Sequence, residues 1–265
     1  MTRRRHAPRL AAFLSLLAAG CVQSSFNLAT QHEEYTLTST DREVAMGWKL
    51  AHQVEQELVR IPDESLQQRV STIGQRLVAV CDRRELSYRF VAVDEKDVNA
   101  FALPGGHVYV YRGLIDAAKS DDELAGVVAH EIGHIAARHP IKRYEAGVGA
   151  QLLQLASLAA RRSDAAQGLN IALRSAQLAY ARQDELEADT LGVKYVKAAG
   201  FDPNAILNFL ERLERLDQQK SHYLPRGVVR PLYARTHPFV PERIRTVKEA
   251  LYGSADYIDY LNTPN

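Results

Sequence analysis

His130-Glu131-Ile132-Gly133-His134 lies in a stretch where Leu124, Val127, Val128, Ile132 and Ile135 recur at helical spacing. On a helix, residues four apart project from one face, so the two imidazoles can reach a single ion. Glu131 stands beside the first histidine, where its carboxylate can take a proton from an attacking water and pass it to a leaving amine. Zinc held by histidines would acidify that water and polarise a carbonyl. Ser120 and Glu123 predict the helix start, since each can satisfy a free amide there. Pro140 predicts a stop or bend near His139. Two histidines on a solvated helix face are the competing reading, and the apolar, capped context disfavours it.

Catalytic zinc usually takes three protein ligands and keeps one position open. The best source of a third is Arg182-Gln183-Asp184-Glu185-Leu186-Glu187-Ala188-Asp189. Glu185 and Asp189, four apart, share a helix face, and Glu187 is expected to point well away from it. Glu185 is assigned to the metal and Asp189 to orienting a histidine through its other ring nitrogen. On geometry alone the same acids could equally form a solvated helix surface. His139, five residues past His134, is expected to be a helix-end residue off the ligand face. His32 and His222 lie in polar surroundings and receive no metal role.

Upstream, Asp41 to Val59 carries Val44, Trp48, Ala51, Val54 and Leu58 at helical spacing, and Pro62 opens a second helix. Leu86 to Val93 alternates as strands do, and His107 to Tyr111 follows the turn at Pro104-Gly105-Gly106. That second strand is expected to offer an edge to which an extended peptide adds by main-chain hydrogen bonds. Gly105, Gly106, His107, Val108 and Tyr109 are then the candidate substrate-binding residues. The alternative is a hairpin that only braces the histidine helix. Downstream, Val148 to Ala160 and Leu169 to Ala199 read as helices, Gly200 as a cap, and Asp202-Pro203 as a restart. Ala146 to Ala160 reads as a core helix, with a flap over the cleft or a membrane- or client-contacting surface as the alternative. The fold expected is one mostly helical α+β domain without internal repeats.

With 46% hydrophobic and 25% charged residues, the 265-residue chain has a globular composition. Its formal charge of +1 offers no footprint for nucleic acid, and none is expected as a partner. Arg3, Arg4, Arg5 and Arg9 precede an apolar run from Leu10 to Ala19, the marks of a secretory signal. The run is shorter than the about 20 residues a spanning helix needs. Leu17-Ala18-Ala19-Gly20-Cys21 resembles a bacterial lipobox, with Ala18 where such boxes more often carry Leu. That resemblance implies cleavage before Cys21 and lipidation of it; an ordinary signal peptide with a chance cysteine is the alternative. Residues 1–20 are thus expected to be a lipoprotein signal peptide, 21–40 a Ser-, Thr- and Gln-rich lipid-anchored tether, and 41–265 the catalytic domain. Val22 after the cysteine, where Asp does not stand, implies outer-membrane sorting by resemblance to other lipoproteins. Cys81 would be the only thiol left, which excludes a disulfide fold and suits a small apolar core residue.

The blocks His130 to His134 and Glu185 to Asp189 resemble the HtpX, Oma-type and CAAX-prenyl-protease family of zinc peptidases. Asn99-Ala100-Phe101-Ala102-Leu103-Pro104-Gly105-Gly106 and Thr236-His237-Pro238 with Glu242-Arg243-Ile244 match two further signatures, in the expected order. The resemblance implies a zincin-type (gluzincin) α+β domain with a small sheet edge beside the H-E-x-x-H helix. It implies one Zn2+ per chain on His130, His134 and Glu185, and catalytic roles for Glu131, His237 and Asp189. By the same resemblance His237 is a metal ligand in a resting form or a transition-state stabiliser; holding the turn before Pro238 is the structural alternative. The lipobox and the lack of membrane helices point to the soluble bacterial envelope branch, here without the helical-repeat domain that one member carries. Clients are then unfolded or misassembled envelope proteins, especially of the outer membrane, and outer-membrane assembly machinery is a possible partner. The alternative function is a chaperone-like client-binding lipoprotein whose zinc site is latent, closed by His237.

Overall fold

The computed structural model describes residues 23–147, 182–223 and 236–262. Strands β1 (Gln23–Asn27) and β2 (His32–Thr36) form an antiparallel hairpin, with Phe26 opposite Glu33. The expected tether is therefore corrected from residue 23 onward: this segment is folded against the domain. Asn27 Nδ2 donates to the Ala136 carbonyl (3.0 Å), and Lys142 Nζ donates to Glu34 (2.6 Å). Its inward face is polar, so a search for inward apolar periodicity passes over it. Residues 1–20 and Cys21 lie outside the described residues.

Helix α1 (Thr40–Glu57) starts at Ser39, whose hydroxyl accepts from the Arg42 amide. It buries Gly47 against the Pro104 carbonyl, with no room for a Cβ. Helix α2 (Glu64–Val78) is capped by Asp63, which accepts from the Ser65 and Leu66 amides (2.9 and 3.1 Å). Its Val70, Ile73 and Leu77 enter the core.

Strands β3 (Arg89–Val93), β4 (Ala100–Leu103) and β5 (His107–Tyr111) form a sheet of order β3-β5-β4. β5 pairs parallel with β3 and antiparallel with β4, so both its sides are occupied. The expectation that His107 to Tyr111 is an edge strand is thus corrected; the edge beside the histidine helix belongs to β4. Ala100-Phe101-Ala102-Leu103 has no β-branched residue and no polar alternation, which hid it as a strand. Gly105, at φ 77°, turns β4 back onto β5 within Pro104–Gly106.

After the short helix α3 (Arg112–Ala117), helix α4 (Asp121–Ala136) carries both motif histidines and is buried from Glu123 to its end. Ser120 accepts from the Glu123 amide (3.2 Å), and Glu123 reaches back to the Lys119 amide (2.7 Å). Helix α4 stops at Ala136, Arg138 takes a left-handed φ of 61°, and α5 (139–147) begins with Pro140 in its first turn. Helix α6 (182–198) ends at Gly200 (φ 74°), where the Phe201 amide bonds the Val196 carbonyl (3.1 Å). Asp202 caps α7 (Asn204–Tyr223) by accepting from the Asn204 amide (2.9 Å), and α8 (Val240–Asn262) follows. Leu124, Val128 and Ile132 of α4 share one core with Leu207 and Leu210 of α7 and Val247 of α8. Among the described residues no helix is long and apolar enough to cross a membrane. Of the segment expected as a core helix or flap, only Ala146 and Gly147 are described; 148–160 lies outside.

Candidate metal centre

Two helices must run almost in contact to bring carboxylates to the histidines of α4, and glycines permit it. A Cβ on Gly133 would stand 2.8 Å from the Ala188 carbonyl oxygen of α6, and one on Gly192 would meet the His130 backbone at 3.3 Å. This approach places Glu185 over His130 and His134, while the segment before α8 inserts His237 from another side. The four side chains are buried, and one ligand atom from each lies within 4.8 Å of all the others. His134 Nε2 is 3.0 Å from His130 Nε2, which is 3.3 Å from His237 Nδ1. Glu185 Oε2 lies 3.1 Å from His237 Nδ1, and Glu185 Oε1 lies 3.4 Å from His134 Nε2. Ring nitrogens and a carboxylate crowded around one buried point repel unless a proton or cation sits among them, and this N and O donor set suits zinc.

The groups behind the ligands fix where the protons are. Asp189 Oδ1 is 2.8 Å from His130 Nδ1, so His130 keeps its hydrogen there and turns the Nε2 lone pair to the cluster. His139 Nε2 is 3.0 Å from Glu187 and donates to it; His139 Nδ1, 2.9 Å from His134 Nδ1, then accepts. That relay leaves the Nε2 lone pair of His134 facing the same point. Arg243, wholly buried, forks onto both Asp189 oxygens at 2.8 Å each. Burial pushes His134 well below its ordinary value, with His130 and His139 adding to the drop against the pull of Glu185. For His130, burial and Arg243 act downward, yet the Asp189 and Glu185 carboxylates prevail and raise it to about 9. Burial alone would raise the Glu185 carboxyl, but His237 and His134 hold it well below the carboxylate range.

His139 and Glu187 stay outside the ligand group, as expected of a helix-end residue and of an acid off the face of Glu185, yet together they reach His134 from behind, which neither expectation included. Helical spacing stops applying where the helix stops, and the reversal at Arg138 carries His139 back beneath His134. The contact between them had no signal in a helical-wheel reading. Arg243 lay within a quoted signature, but its fork onto Asp189 needs the tertiary fold.

Glu131 is buried beside the cluster, with Oε1 3.5 Å from His237 Nε2 and making no hydrogen bond. His237 Nε2 donates to the Ala100 carbonyl of β4 (3.3 Å), which therefore points out from the sheet edge toward the site. The Tyr111 amide bonds the Asn99 carbonyl inward (3.0 Å), so by antiparallel alternation Ala100 and Ala102 present their main-chain groups outward. The five candidate substrate-binding residues are not brought to the cleft. Gly105 and Gly106 are buried, with Gly105 lying against α1; His107 stacks edge-on against Trp48 at 4.7 Å; Val108 and Tyr109 are core.

The description of peptidase family M48 matches residues 64–251. The beta-barrel assembly-enhancing protease of Yersinia pestis is 33% identical over 220 residues, covering 78% of this chain and 43% of that protein. The protein of the same name from Escherichia coli K12 is 30% identical over 217 residues, with the same coverage of 78% and 43%. The mitochondrial metalloendopeptidase OMA1 of Schizosaccharomyces pombe is 33% identical over 184 residues, covering 69% of this chain and 52% of that protein. The chain spans about half the length of these curated relatives, or less.

Proposed function

The chain belongs to peptidase family M48, whose members are zinc-dependent, and from that premise we propose that it is an endopeptidase of the bacterial cell envelope. The observation that carries this reading is the buried convergence of His130, His134 and Glu185 beside a carboxylate, Glu131, that makes no hydrogen bond through Oε1. His130, His134 and Glu185 would hold the zinc, which supplies an acidified water and a polarised carbonyl when bound. Glu131 takes the proton of the attacking water and delivers it to the leaving amine. Asp189 and the His139–Glu187 pair keep both ligand imidazoles in the required tautomer. The outward main chain at Ala100 and Ala102 receives an extended substrate as an added strand, which favours unfolded or misassembled clients. His237 withdraws from the cluster when substrate binds and donates to the developing oxyanion. Residues 1–20 serve as the signal, Cys21 carries the lipid, and the protein works on the periplasmic side of the outer membrane. Relatives named for enhancing beta-barrel assembly support outer-membrane proteins as clients.

A second reading, a client-binding lipoprotein that seldom cuts, is favoured by one observation: His237 Nδ1 already lies within the ligand cluster. The experiment that separates the two gives unfolded casein to zinc-loaded wild type, Glu131→Gln and His237→Ala. Cleavage abolished in Glu131→Gln establishes the peptidase, and faster cutting by His237→Ala identifies a latch. If no folded, zinc-loaded variant cuts, the binding module is the better reading.

A further inference from the structure

The β1–β2 hairpin is amphipathic in the reverse sense. Three polar side chains are turned into the domain: Asn27, Glu34 and Thr36 are buried, and Thr38 beyond them accepts at its carbonyl from Arg138 (2.7 Å), while Ser24, Ser25, His32 and Glu33 stay exposed. Four of its apolar side chains stand exposed. Phe26 is 56% exposed, Leu28 61%, Tyr35 68% and Leu37 51%. On the strands Phe26 and Tyr35 share one side with Ser24 and Glu33, and exposed apolar side chains grouped on one hairpin mark a site of contact. Only Val22 separates Cys21 from β1. An extended chain advances about 3.5 Å per residue, so the strand begins within roughly 7 Å of the cysteine backbone.

We propose that this outward face seats in the interfacial layer of the lipid bilayer, directly beside the acyl anchor. The inference rests on the reading of Cys21 as lipidated. A plain leash would make no contacts with the domain, whereas here Asn27 and Glu34 bond the hairpin to it and leave Phe26 and Tyr35 in the open next to the anchoring residue. The interface accepts apolar side chains to a depth of about 5–10 Å, and Tyr is enriched there. Glu33, the outward acid opposite Phe26, stays at headgroup level, so the contact is driven by apolar burial and not by surface charge. The hairpin is bonded to the end of α4 through Asn27 and Ala136, two residues past His134. Seating it therefore fixes the height and tilt of the metal centre over the membrane, so that clients are met at the bilayer surface.

The test uses the mature lipoprotein, with mass spectrometry reading the modification at Cys21. It is reconstituted into vesicles of phosphatidylethanolamine and phosphatidylglycerol with brominated acyl chains. Tyr35→Trp, Leu37→Trp and Leu28→Trp are reporters, Tyr252→Trp is the control, and the emission of the single native Trp48 is subtracted. The expected result is a blue shift and loss of emission at 28, 35 and 37, with neither at 252. The same reporters should be insensitive to salt. Reporters quenched by aqueous acrylamide and not by bromolipid, on a chain acylated at Cys21, overturn the inference while leaving the anchor intact. Reporters shielded from both quenchers also overturn it, because the face is then covered by protein. An unmodified Cys21 removes the anchor reading and the inference with it, whereas unquenched reporters on the acylated chain remove the inference alone.

Discussion

Arg243 and His139 show how much of a metal centre lies behind its ligands. The guanidinium of Arg243 is enclosed and satisfies both oxygens of Asp189, which in turn sets the proton on His130. Arg243→Leu would strand a buried carboxylate, and a loss of about 3–5 kcal/mol is expected in urea unfolding. Arg243→Lys restores charge without the fork and should recover only part of that loss. His139→Ala removes the acceptor that holds the His134 tautomer, so zinc affinity should fall about 10–100-fold in chelator competition. Glu131→Gln is of another kind. Its Oε1 makes no hydrogen bond, so stability should stay level while turnover drops by about 10²–10⁴.

At the scale of elements, the sheet edge decides what can be bound. β5 is enclosed between β3 and β4, and its ladder groups are spent on them. β4 alone faces the cluster, with the Ala100 carbonyl already engaged by His237. Ala102→Pro removes an outward amide without touching the β4–β5 ladder. It should raise KM for unfolded substrates severalfold while zinc content and thermal stability hold, since one main-chain hydrogen bond contributes about 1 kcal/mol. If KM is unchanged, the peptide does not add to this edge.

For the whole molecule, stability runs through the same central helix. Glu123 at the start of α4 pairs with Arg212 of α7 (2.7 Å), and that hydrogen bond holds its carboxyl below the ordinary value of 4.5 despite burial. A carboxyl depressed in the folded state stabilises fully above its unfolded value and ceases to as pH falls through the folded one. The difference in Tm between wild type and Glu123→Gln should therefore be largest above pH 4.5 and vanish in stronger acid.

Periodicity and spacing by themselves determined the helix of His130 and His134, its start at Ser120, its stop before Pro140 and the cap at Gly200. Each of these is a local preference of backbone or side chain, expressed within a few residues. The same holds for the face shared by Glu185 and Asp189, because both lie on one unbroken helix. Only the tertiary structure decided that β4 is the edge, that His139 returns to His134, and that Arg243 locks Asp189. Those depend on pairing order and chain reversal, which join residues up to 137 positions apart, as for Ala100 and His237. The hairpin from Gln23 was hidden for a different reason: its polar face is the buried one, so the pattern that usually reveals burial ran in reverse.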